Sequence, residues 1–478
     1  MDPVLIGFIL YLVLILIVGF ATVHLTKTLA DFILAGRKLG PWVVAFSERA
    51  SGESAWLLIG LPGLALASGY NAVWPAIGCC CGILFSWLVI SKRLRLSTEN
   101  FNALTIPDFL EARFNDNSRA LRITATIIIV FFFTLYVAAQ FLAAGKVLNA
   151  TFGMSKLIGM ILGAGIILFY TIMGGFFAVV WTDLFQGIIM LFTLVVLPIT
   201  GIIELGGISA LNQGIAKVNP ALLSLGGDNT GWAMISSILG GLAIGLGYMG
   251  QPHLITRFMA IKNPKDLKKG TVIAMGWAVL GFFGAVFIGL VGLSMFGAEH
   301  FADTEKVMPI LAKSLMPAGL AGIMISGAIA AMMSTADSQL LVTTSALSED
   351  IYHQMINKDA PQNKLVAISR ISTVIIGMAA FILAISAEQL VYWLVLYAWA
   401  GLGASFGPPL LLTLWWKKTT KQGVLSGMIV GTLTVLIWYN VPFLKSLLYE
   451  LIPGFTLSLI TVWAVSLFTF KEDTASRM

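Results

Sequence analysis

The stretch SERASGESAWLLIGLPGLALASG, residues 47–69, decides the fold. Beyond Trp56 it is apolar enough for a membrane, yet it opens with Glu48, Arg49 and Glu53. It is crowded with glycine and carries Pro62. In a helix interior Gly costs about 1 kcal/mol and Pro about 3 kcal/mol. A membrane segment accepting both is predicted to unwind, which is tolerated only where the backbone lines protein or a wet cavity. Charges at that depth mark a functional site by default.

The rest of the chain agrees with a membrane reading. Of 478 residues, 58% are hydrophobic and 11% charged, against about 25% charged in a soluble domain. Apolar runs such as LIGFILYLVLILIVGFATV have the roughly 20 residues needed to span. The first run lacks a basic leader and a small-residue cleavage site, so it reads as a retained span. Thirteen spans are predicted: 3–25, 42–69, 73–91, 120–150, 156–177, 181–205, 229–253, 270–297, 318–345, 365–386, 388–415, 420–440 and 450–470. Of the 29 Lys and Arg, 22 fall in one set of loops or the tail, including RFMAIKNPKDLKK after span 7. The positive-inside rule makes that set cytoplasmic, with the N-terminus outside and the C-terminus inside. The net charge of +6 is therefore a topology signal, not a sign of nucleic acid. Cys79–Cys81 are consecutive in an apolar run and read as small hydrophobes, not ligands or disulfides. Two outer segments, ISALNQGIAKV and EKVMPILAKSL, are amphipathic and read as surface lids or packing helices. No soluble domain is expected.

Span 7 repeats the pattern of span 2. It reads ILGGLAIGLGYMGQPH, rich in Gly and ending near Pro252. Paired Gly-interrupted spans at matching positions of two halves point to an inverted-repeat transporter and its binding site. The repeats are spans 2–6 (residues 42–205) and 7–11 (residues 229–415). Residues 1–41 form the first span and loop, 206–228 an outer loop, and 416–478 two peripheral spans and a tail. The expected architecture is all-α and polytopic, with a five-plus-five, leucine-transporter-like core in which helices 2 and 7 are broken. In span 9, Ser334, Thr335, Asp337 and Ser338 place several oxygens within one and a half turns, with 334, 337 and 338 on one face. Oxygen ligands suit hard cations. Asp183 opens span 6, either as a helix-dipole charge or as a station on an ion path.

Together these residues resemble the sodium:solute symporter family, most closely its sodium/proline branch. The similarity runs along nearly the whole chain, through DFILAGRKLGPWV, WLLIGLPG, TIPDFLEARF, FFFTLY, GGFFAVVWTD, GLGYMGQPHLITRFMA, AAMMST and YAWAGLGASFGPPLLL. The resemblance implies sodium-coupled uptake of a small organic solute, with no covalent cofactor and no enzymatic activity. It implies a sodium site from the carbonyls of Ala50, Glu53 and Ala331 and the hydroxyls of Ser334 and Thr335. Asp183 matches the family's aspartate on the inward sodium path, and Arg37 a loop residue that influences coupling. The implied solute pocket lies near Ser54, Ala55, Trp56, Tyr136, Tyr248 and Pro252.

The chain also departs from that branch. Where the branch has Ser-Asp-Met-Ser-Gly-Trp, this sequence has Ser51-Gly52-Glu53-Ser54-Ala55-Trp56, and Ile244 replaces a pocket tryptophan. Asp337 stands for a neutral residue. Glu53 or Asp337 then takes over from the missing carboxylate, for cation or proton; otherwise Arg49 and Glu53 are an i,i+4 lock or a gate. Proton coupling, a different solute, a transporter-like sensor and a passive channel are the rival functions.

Overall fold

The computed structural model describes residues 3–23, 29–387 and 390–471. The ends of the predicted first span (24, 25), the start of the eleventh (388, 389) and the tail from 472 lie outside them. Among the described residues the structure is helical with no strand; Leu39 and Ile261 form one isolated parallel bridge. Ten helical runs are long and apolar enough to cross a membrane, and Pro3–Gly19 and Lys156–Phe169 are shorter apolar helices. This is a polytopic all-α membrane protein.

The helix Ala318–Ser345 is the hub. It packs against Pro3–Val23, Pro41–Ala55, Ala120–Phe152 and the long run Lys156–Leu205. In the most apolar window of Ala318–Ile356, 78% of residues are buried, against 33% for Lys421–Asn440 and Leu451–Thr469, which lie at the periphery. Lipid offers no hydrophobic drive for helix association, so close packing of small residues does that work. A Cβ on Gly82 would sit 2.1 Å from the Gly245 carbonyl, and one on Gly78 2.5 Å from that of Leu242. The helix Val73–Phe85, which carries the cysteines, thereby packs where the helix Gly231–Ala243 gives way to the tighter stretch Ile244–Gly250. Cys79 is buried, Cys80 intermediate and Cys81 exposed, all as free thiols.

Several boundaries differ from the sequence reading. The break predicted at 178–180 falls at Gly175, whose φ of 59° suits a residue without Cβ; Phe32 fills the space beside it. The predicted third span ends at 91, but helix continues through Ser91–Asn100, where Arg95 is buried on the Ile261 carbonyl. The predicted seventh span ends at 253, but Pro252–Ala260 is a further helix, buried along its whole length. Arg257 is thus no loop residue, and its weight in the orientation argument is removed. Both amphipathic segments form helices, Ile208–Val218 and Val307–Leu315, whose apolar residues Leu211, Ile215, Val307 and Leu311 face the core.

Candidate functional site

Two segments depart locally from regular α-helix. Ser54 has φ 51° and ψ −172° between the helix Pro41–Ala55 and the turn Trp56–Gly60. Such a conformation costs a non-glycine residue about 1–3 kcal/mol. Neighbours offset it: Ser54 Oγ accepts from the Trp56 amide at 3.1 Å, and Gln140 Oε1 from the Ala55 amide at 3.0 Å. In the partner segment, Gly231–Ala243 tightens into a 3₁₀ stretch, Ile244–Gly250, and Gln251 is extended before Pro252. Trp399 Nε1 donates to the freed Ile244 carbonyl, and any Cβ on Gly247 would collide with that ring.

The resemblance implied a sodium site at Ala50, Glu53, Ala331, Ser334 and Thr335. Ser334 Oγ donates to the Ala50 carbonyl at 2.9 Å and to that of Ala331 at 3.1 Å. Thr335 Oγ1 reaches the Ser51 carbonyl at 3.0 Å. The Glu53 carbonyl instead accepts the Trp56 amide. Four of the five thus meet in one buried patch, and Ser51 joins them.

Below that patch lies a group the sequence reading did not assemble. Asp183 is eight residues past the Gly175 bend, so it is not a charge at a helix start. Its Oδ2 accepts from Ser47 at 2.7 Å, Ser51 at 2.9 Å and Arg257 at 3.2 Å. Arg257 also donates to Ser51, Ser47, Ser338 and the His253 carbonyl. Asp337 accepts from Ser338 through Oδ1, while its Oδ2 is buried without a partner among the described residues. The sequence signal for Arg257 was an arginine inside an apolar run just after a proline.

Above the patch, Arg49 sits between Glu48 and Glu53, all three buried. Glu48 Oε2 also accepts from Trp87 Nε1 at 3.1 Å, and Glu53 Oε2 from the Tyr248 hydroxyl at 3.4 Å. The Arg49 guanidinium lies 5.3 Å from the Tyr248 ring centroid. At Gly52 a Cβ would fall 3.2 Å from a Leu254 methyl, so the aspartate of the related branch requires Leu254 to shift by a few tenths of an ångström.

The expected solute residues lie around these groups. Trp56 stacks on Tyr392 at 5.7 Å with Phe282 at its edge, and its Nε1 has no partner among the described residues. The Tyr136 hydroxyl donates to Ser54 Oγ at 3.4 Å, and Tyr248 packs edge-on against Trp399 at 4.7 Å. His253 lies beside Phe133 and Tyr136. Ile244 and Tyr392 line a cavity of about 580 Å³ that also reaches Tyr449 and Glu450. Pro252 lies at the opposite end, beside a narrow pocket with Thr105 and Asp350. Arg37 is apart from the site: it donates to the Met259, Thr98 and Ala103 carbonyls and to Thr98 Oγ1.

Each end is tied by ions. Arg122 donates to Asp108, Glu111 and Asp350, joining the helix Ile106–Phe114 to the end of the hub helix. At the other end Lys146 pairs with Asp303 and Glu305, and Glu305 accepts from the Val391 and Tyr392 amides. Sequence reading missed both clusters.

Residues 32–431 match the sodium:solute symporter family. Over 457 residues the chain is 42% identical to a high-affinity proline transporter of Bacillus subtilis, covering 95% of this chain and 96% of that one. It is 40% identical over 475 residues to the sodium/proline symporter of Escherichia coli, covering 98% and 93%. In structure it is similar to a sodium-coupled sialic acid symporter in a substrate-bound outward-open state, with TM-score 0.80, 19% identity and 98% of both chains covered. A nucleobase–cation symporter in a closed conformation gives TM-score 0.57 at 15% identity, covering 95% and 98%. The chain belongs to the sodium:solute symporter family, and is a transporter rather than an enzyme.

Proposed function

We propose that this symporter is a secondary active carrier that couples the inward movement of sodium to uptake of a small amino acid, with proline as the first candidate. The observation that carries the reading is the interlock of Ser334 and Thr335 with the Ala50 and Ser51 carbonyls, directly before the backbone turn at Ser54. A sodium ion there exchanges hydroxyl-to-carbonyl bonds for oxygen ligands on both elements. Such an ion drives transport only if it favours the state that binds solute better. The proline transporters among the relatives support the choice of solute. Two features of this chain concern it: Ile244, where the branch has tryptophan, lines the large cavity, and Gly52 replaces an aspartate.

The architecture belongs to the same proposal. Taking Pro41–Asn100 as two crossings and adding the two shorter apolar helices brings the ten runs to thirteen. Residues 42–205 and 229–415 are the inverted repeats, with interruptions at Ser54 and at 244–251 in their first helices. Segments 1–41, 206–228 and 416–478 lie outside the repeats. The N-terminus is outside and the C-terminus inside. Asp183 then receives the ion on its way in, and Trp56, Tyr136, Tyr248 and the Ser54–Ala55 turn surround the solute.

Proton coupling is the second reading, favoured by the unpartnered Asp337 Oδ2. Proteoliposomes decide between them. A sodium gradient is expected to concentrate labelled proline at uniform pH. Ser334→Ala is expected to raise the sodium concentration for half-maximal uptake. Accumulation driven by a pH gradient without sodium overturns the sodium assignment, and equilibration without accumulation overturns symport.

A further inference from the structure

The triad at the start of the interrupted helix has an unequal charge count. Glu48 is fully engaged: Arg49 Nε donates to its Oε2 at 2.6 Å, Arg49 Nη2 to its Oε1, and Trp87 Nε1 to Oε2. That bidentate fork is the strong form of an arginine–carboxylate pair and accounts for the guanidinium's charge. Glu53 shares the same guanidinium through Oε1. Its Oε2 has the Tyr248 hydroxyl at 3.4 Å, and no second cationic side chain bonds to Glu53 among the described residues. Two carboxylates and one guanidinium carry one net negative charge when both acids are ionised. A lone buried charge is costly unless something neutralises it.

The surroundings narrow what neutralises it. A hard cation takes six or more oxygens, or several waters, and Tyr248 supplies the one other oxygen bonded to Glu53. Aromatic rings flank it in the chain and in space: Tyr248, bonded to Glu53, lies against Trp399, and Trp56, three residues on, against Tyr392 and Phe282. Aromatic faces and a carboxylate suit an organic ammonium. Two further buried groups lack partners on the flanking segments. Gln251, three residues after Tyr248, uses Nε2 on the Trp399 carbonyl and leaves Oε1 unpaired. Trp56, three residues after Glu53, leaves Nε1 unpaired. Two acceptors and one donor match a zwitterion. The two N–H groups of a secondary ammonium suit Glu53 Oε2 and Gln251 Oε1, and a carboxylate suits Trp56 Nε1.

We infer that Glu53 is the specificity-determining residue that receives the cationic nitrogen of the solute, with Glu48 holding Arg49 as its positioning partner. This rests on the amino-acid reading above. It also accounts for Gly52: the charge has moved one residue along, away from the ion patch and toward Tyr248.

Competition binding on the full-length protein tests it, with proline and its oxygen isostere tetrahydrofuran-2-carboxylate, which has the ring and carboxylate but no cationic nitrogen. The unmodified protein is expected to prefer proline by roughly 30-fold or more. Glu53→Gln is expected to erase most of that preference while leaving the affinity for the isostere unchanged, which also shows that the variant is folded. Glu53→Asp, which keeps the charge, is expected to retain a preference. Equal weakening of both ligands, or a preference untouched by Glu53→Gln, overturns the assignment. Untouched binding with lost pH dependence of uptake overturns it in favour of a proton-carrying Glu53. Failure of the unmodified protein to bind proline overturns the amino-acid reading itself.

Discussion

At the scale of single residues, the sequence located the charges but only those partners that are neighbours along one helix. Arg49 and Glu53 could be read as a helical pair because i and i+4 are neighbours on any helix. Arg257 could not, because its partners Asp183, Ser47, Ser51 and Ser338 come from three other elements. Counting it among loop cations was reasonable from its position near Lys262 and Lys265, and wrong because its neighbours compensate its burial. Removing one member of such a pair strands the other. Arg257→Ala is expected to destabilise the protein by about 3–5 kcal/mol, measured by unfolding in detergent. Adding Asp183→Asn is expected to recover part of the loss, since the two sites interact. Strict additivity would mean that the pair contributes nothing as a pair.

Among elements, the important contacts join segments far apart in the chain. EKVMPILAKSL was legible as an amphipathic helix. Nothing in it showed that Glu305 would accept the first amides of Val391–Trp415, where negative charge is favoured by the helix dipole. That contact fixes Tyr392 over Trp56. At the opposite end, Arg122 is bonded to three carboxylates from two other elements. Without it Asp108, Glu111 and Asp350 repel one another. In a background lacking Cys79, Cys80 and Cys81, a cysteine at Ser345, beside the pocket shared with Thr105 and Asp350, reports on this end. Arg122→Ala is expected to speed its labelling by a water-soluble thiol reagent by about tenfold, the equivalent of about 1.4 kcal/mol of opening. An unchanged labelling rate would show that Arg122 does not hold this end shut.

For the whole molecule, the peripheral helices are fastened to the core by charge as well as by packing. Asp116 lies in the turn after Ile106–Phe114 and pairs with Lys421 at 2.5 Å, at the start of Lys421–Asn440. Burial raises its pKa, but the Lys421 ammonium, the Ser118 hydroxyl and the Leu121 amide outweigh that and hold it at about 2, below the ordinary 3.8. A carboxyl with a depressed folded pKa contributes stability above its unfolded value, lost as pH falls through the folded one. The unfolding temperature is therefore expected to drop between about pH 4 and pH 2. Lys421→Met is expected to lower it at pH 7 and to flatten that part of the profile. An identical acid profile in the variant would remove this pair from the account.

The sequence by itself determined the class of protein, the approximate course of its helices and the two Gly-rich segments where the backbone leaves regular α-helix. Hydropathy and the helix cost of Gly and Pro are local properties, so ILGGLAIGLGYMGQPH and SERASGESAW declare themselves wherever they sit. Family motifs supplied Ala50, Ala331, Ser334 and Thr335, which lie in one buried patch, for the same reason, since the motifs are short and contiguous. Tertiary structure alone decided that Thr335 meets Ser51, 284 residues away, rather than Glu53. It alone decided that Arg257 belongs to Asp183 and that Glu53 is left with half a partner. Pairing energies depend on distance in space, and a buried charge reveals its role only when every group that neutralises it can be counted.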